Sequence, residues 1–94
     1  MKLDLTQIRQ NIDAIDKELV ALLEQRMSLV HQVAAYKKET GQPVLDSGRE
    51  KAVLEQVATL VENKNYTDSI CDTFRDIMAH SRAYQSQTLG QADD

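Results

Sequence analysis

Two cations, Arg26 and Lys37, stand where the sequence otherwise places aliphatic side chains. On helical steps of about 100° per residue, Ile8, Ile12, Ile15, Leu19, Leu22, Val30 and Val33 fall within about 40° of Arg26, and Lys37 lies about 20° away. A positive charge sunk in an apolar seam is strongly unfavourable unless an internal carboxylate or an anionic ligand meets it. A single such residue is ordinarily a register device between helices or a snorkelling side chain. Two in register point instead to a small organic dianion held at a dimer interface.

Other polar residues follow the same geometry. In the second half of the chain Glu50 shares a face with Leu54, Val57 and Val61, and Arg49 lies at the edge of that face. Further on, Ser81 continues the stripe of Ile70, Phe74 and Ile77, and Gln85 extends it by one turn. Taken singly, Glu50 could be a helix cap and Ser81 ordinary packing. Together they give every expected helix a hydrogen-bonding group on its apolar face, as a shielded pocket for a polar ligand requires. Arg9 lies about 100° off the stripe and 17 residues before Arg26, hence about 25 Å away along one helix. Spacing alone favours a surface pair with Asp13; in a crossed or antiparallel dimer Arg9 could instead reach the partner's site.

The elements that must position these groups are helices. No Gly or Pro occurs from Leu5 to Glu39, and the apolar residues alternate by three and four, so one helix spans about 5–39. Asp4 or Thr6 can cap its start, and Thr40-Gly41-Gln42-Pro43 ends it. A second helix covers about 47–62, with Ser47 and Glu50 at capping-box spacing and Asp46 as a rival cap. A third covers about 67–88 with Ile70, Phe74, Ile77 and Met78 inward, closed by Leu89-Gly90, and the tail 91–94 is expected to fray. The chain reads as one all-α domain over 1–94. Its first helix makes a rod of about 50 Å, far longer than a 100-residue globule, whose radius of gyration is about 13 Å. Two short helices cannot cover that stripe, so pairing with a second copy is expected.

Composition narrows the function. Eleven Lys and Arg against fifteen Asp and Glu give a net charge of -4, the wrong sign for coating nucleic acid or an anionic membrane. The amino end has no apolar signal core and no stretch approaches a membrane span, so the cytoplasm is expected. One cysteine and two separated histidines give no zinc-site spacing, so no metal is expected. His31, Tyr36 and Cys71 are read as packing residues.

The segments IRQNIDAID and LLEQR, then Lys37, then GQPVLDSGRE, and finally the Ser81 and Gln85 pair resemble the all-helical class of chorismate mutases. The likeness spans nearly the entire chain. It implies an intertwined homodimer of three-helix chains converting chorismate to prephenate, without a cofactor, on the route to phenylalanine and tyrosine. By matching position, it implies that Arg26 and the partner's Arg9 bind the two substrate carboxylates, assisted by Arg49 and Ser81. Glu50 and the Asp46 region would hold the ring hydroxyl, and Lys37 with Gln85 would address the ether oxygen. Isochorismate-pyruvate lyase resembles the same fold, but Asp46 within Pro-Val-Leu-Asp suits the mutase pattern better. A regulatory module that binds chorismate or prephenate and controls an aromatic-pathway synthase is the reading from another class; the complete polar set favours catalysis.

Overall fold

The computed structural model describes residues 2–89. Helix α1 runs over Leu5–Thr40, α2 over Ser47–Leu60 and α3 over Thr67–Leu89, with a single 3₁₀ turn at Lys64–Tyr66. No strand occurs among the described residues. Gly90, expected to close α3, and the tail 91–94 lie outside them.

The helix ends follow from local chemistry. Asp4 caps α1, its carboxylate accepting from the N–H groups of Thr6 and Gln7. At the other end Gly41 takes the left-handed conformation with φ 74°, which a residue without Cβ adopts freely. The N–H groups of Gly41 and Gln42 both donate to the carbonyl of Lys37, closing the helix. Of the two candidate caps for α2, Asp46 takes the position: its Oδ1 accepts from the Arg49 N–H at 3.0 Å, and Ser47 is already helical. The capping-box reading of Ser47 and Glu50 is thereby corrected, and the Glu50 carboxylate is engaged elsewhere. Helix α2 stops at Leu60, two residues short of the expected end, because Val61 is extended and Asn63 caps the 3₁₀ turn instead.

Helix α3 packs against both other helices, whereas α1 and α2 do not approach one another among the described residues. A cleft therefore opens between α1 and α2, with α3 as its floor. His31 Nδ1 and the Tyr84 hydroxyl, 2.9 Å apart, join α1 to α3 at the surface. Cys71 is buried, as a packing residue should be, but Tyr36 is exposed.

The molecule is elongated, 58 × 24 × 19 Å, with a radius of gyration of 16.8 Å. Only Val30, Ala34 and Lys37 are buried on α1, all in its second half. The stripe residues Ile8, Ile12, Ile15, Leu19 and Leu22 are exposed within one chain, so its amino-terminal half has no covering element of its own. Among the described residues no helix is long and apolar enough to cross a membrane.

Ala34 is completely covered, so close packing leaves no room for a larger side chain there. Ala34→Leu is expected to lower the free energy of unfolding in urea by about 1–3 kcal/mol. The same change at exposed Ala52 should stay within about 0.5 kcal/mol.

Candidate active site

A cleft of about 270 Å³ collects the polar residues that the sequence set on apolar faces. Helix α1 supplies Arg26 and Lys37, the start of α2 supplies Asp46, Arg49 and Glu50, and α3 supplies Ser81, Arg82 and Gln85. Leu29, Val30, Val33, Val44, Val53 and Met78 form the apolar remainder of the wall. Each helix delivers its groups at one-turn or three-turn spacing, so the constellation depends on helical periodicity and on α3 holding α1 and α2 apart.

Lys37 is 9% exposed, and its Nζ donates to the Val44 carbonyl at 2.6 Å. The loop after α1 thus folds back over the side chain of the same turn that ends the helix. Arg26 is half-buried, and its Nη1 donates to the Ser81 hydroxyl at 2.8 Å. Ser81 in turn donates its single proton to the Ile77 carbonyl at 2.8 Å, which leaves its oxygen as the acceptor that aims Arg26. Neither cation has a carboxylate within ion-pair distance among the described residues; the ion pairs there are Arg75 with Asp72 and Arg82 with Glu50. Gln85 is 6% exposed, and its amide oxygen is buried without a hydrogen-bond partner. A buried acceptor at a cleft wall calls for a donor, from a ligand or an ordered water.

The lining side chains carry four positive and two negative formal charges, a surplus of two. Of the two acids, Asp46 is engaged in capping α2 and Glu50 is paired with Arg82. The remaining cations, Arg26, Lys37 and Arg49, face the cavity with neutral partners or none among the described residues. This suits a compact dianion with a polar, uncharged edge. No group of three or more His, Cys, Asp or Glu gathers among the described residues.

Arg9 does not line the cleft. It sits exposed on the projecting half of α1, and no ion pair joins it to Asp13, contrary to the surface pairing that spacing favours. Arg82 is the residue the sequence reading passed over. It lies about 100° from Ser81 around α3, off the apolar stripe, and its place in the cleft follows only from the packing of α3 on α2. An unmatched acid on the inward face of α2 was the available signal.

A family model described as chorismate mutase type II matches residues 8–86 of this chain. The chorismate mutase of Methanocaldococcus jannaschii is 32% identical over 91 residues, covering 96% of this chain and 92% of that protein. A bifunctional chorismate mutase/prephenate dehydratase of Buchnera aphidicola is 36% identical over 91 residues, covering 96% of this chain but 24% of the relative. The T-protein of Haemophilus influenzae is 34% identical over 84 residues, 88% of this chain and 22% of its own length. The chain thus spans nearly all of the first and about a quarter or less of the other two. No solved structure matches.

Replacing Ser81 by alanine removes the acceptor that orients Arg26. Urea unfolding should show a loss of about 1 kcal/mol, and a loss near zero would mean that water replaces the hydroxyl without cost.

Proposed function

The chain belongs to the chorismate mutase type II family, and on that premise we propose that its cleft isomerises chorismate to prephenate by conformational selection and electrostatic stabilisation. In this Claisen-type rearrangement the ether C–O bond breaks as a C–C bond forms within one molecule. It needs no nucleophile, cofactor or proton transfer. The protein has two tasks: to hold the substrate in its compact diaxial form, and to stabilise the negative charge that grows on the ether oxygen.

The observation that carries this reading is the pair of cations, Lys37 and Arg26, held without carboxylate partners among the described residues in a cleft that Gln85 also lines. In the proposed arrangement Arg26 grips one substrate carboxylate, and Arg49 and Ser81 support that end. Glu50 and the Asp46 region accept from the ring hydroxyl. Lys37 and the Gln85 amide donate to the ether oxygen, where their effect is greater in the transition state than in bound substrate. Gln85 donates without taking up a proton, because its donor is an amide.

The second carboxylate requires a further cation, and we assign it to Arg9 of the partner subunit in an intertwined homodimer. The exposed stripe from Ile8 to Leu22 supports this, since a second α1 laid along it would bury the apolar residues and carry Arg9 towards the other cleft. We place the enzyme in the cytoplasm, in the biosynthesis of phenylalanine and tyrosine. Docking with an aromatic-pathway synthase belongs to the same proposal.

Purified protein should consume the ultraviolet absorbance of chorismate and yield prephenate. Pyruvate release from isochorismate without chorismate turnover would identify the lyase instead. Lys37→Ala should keep the helical circular-dichroism spectrum while kcat falls by about 10²–10³. A Gln85→Glu variant should gain activity as pH is lowered, because a carboxyl donates to the ether oxygen only when protonated; an unaltered pH profile would contradict the assignment. Arg9→Ala and Arg26→Ala should each be nearly inactive, yet refolding equal amounts together should restore about a quarter of wild-type activity. Half the dimers then hold one intact site of two. No recovery would sink the shared site.

A further inference from the structure

Arg82 takes part in none of the roles given above, yet it stands at the cleft wall. Its Nη1 donates to both carboxylate oxygens of Glu50, at 2.5 and 2.6 Å. The Arg82 and Glu50 side chains are 35% and 24% exposed, against 57% and 72% for the surface pair of Arg75 and Asp72. Partial shielding makes the cleft pair worth more than an ordinary surface ion pair.

Glu50 is the one cleft acid not engaged in capping a helix, and Arg26, Lys37 and Arg49 line the same cavity. No other side chain or backbone group among the described residues bonds to its carboxylate. A flexible glutamate released from α3 would be drawn to one of those cations. It would then sit where an anionic ligand must sit and cancel part of the surplus charge. We propose that Arg82 is a positioning residue that prevents this self-inhibition by clamping Glu50 to α3. One nitrogen of Arg82 occupies one acceptor site on each Glu50 oxygen, and a carboxylate has about four such sites. The oxygens thus stay open to a ligand hydroxyl while the carboxylate is kept away from the cations.

This inference rests on the reading of the cleft as the seat of a dianionic substrate. Because a displaced Glu50 competes with that substrate, its effect belongs in KM more than in kcat. Steady-state kinetics with chorismate test it. Arg82→Ala should raise KM by about ten- to a hundredfold, the range in which misplaced groups commonly fall, with kcat changed about threefold or less. Arg82→Lys, which keeps a charge near Glu50, should recover most of the loss. In an E50Q background, where no carboxylate is left to wander, adding R82A should change KM by about threefold or less. Where the alanine variant does not fold, as judged by circular dichroism, Arg82→Gln keeps the stem packed and gives the same readout.

An unchanged KM in R82A, or an equal effect in the wild-type and E50Q backgrounds, overturns the clamp. A purely structural role would lower the melting temperature without moving KM. Failure of the underlying reading looks different: Glu50→Ala would then leave chorismate kinetics untouched. A damaging E50A beside a harmless R82A sinks the clamp alone.

Discussion

The cleft is arranged around positive charge that no carboxylate among the described residues neutralises. Burying a cation costs several kcal/mol even after relaxation, and a hydrogen bond from a charged group returns only about 1.5–3 kcal/mol. Lys37 has a carbonyl and Arg26 a hydroxyl, neither of which supplies negative charge. The deficit is a preorganised attraction for an anion, already oriented and partly desolvated before a ligand arrives. On the proposed function, stability given up in the empty protein reappears as selective stabilisation of a dianion and of the charge that develops during its rearrangement.

Helical architecture serves this purpose because its side-chain directions are rigidly coupled. Ser81 and Gln85 are one turn apart on α3, so the group that aims Arg26 and the amide that completes the cleft move together. Helix α3 touches both neighbours while α1 and α2 stay apart, which keeps a cavity open where a more symmetrical bundle would have closed on itself. The cost appears in the core. One chain buries few large apolar side chains, and half of α1 has nothing to pack against. In the proposed dimer a shared core and a shared site would be two aspects of one solution.

Much of this was legible in the sequence, for a physical reason. Arg26, Lys37, Ser81 and Gln85 interrupt runs of aliphatic residues at helical spacing, and a helix fixes the direction of each side chain within a few tens of degrees. Their gathering in one cleft therefore needed only the helices and their apolar faces. Arg82 was not legible, because it lies off the stripe of α3 and acquires meaning only from an acid on another helix, 32 positions away. The cap of α2 was undecided between Asp46 and Ser47, since either oxygen can meet the same N–H groups and one residue of backbone rotation separates them. Arg9 is ambiguous in a single chain, for its proposed role depends on a partner's surface.

Lys37 does two jobs at once. Its carbonyl receives the N–H groups that terminate α1, and its side chain grips the loop four residues beyond Thr40. An insertion or deletion between Gly41 and Asp46 would thus disturb a helix stop, a loop anchor and a charge at the cleft in one step. The link from Val61 to Tyr66 carries no cleft residue and is expected to tolerate such changes more readily. Of the two interhelical joints, the one that looks like a simple spacer is mechanically part of the cleft.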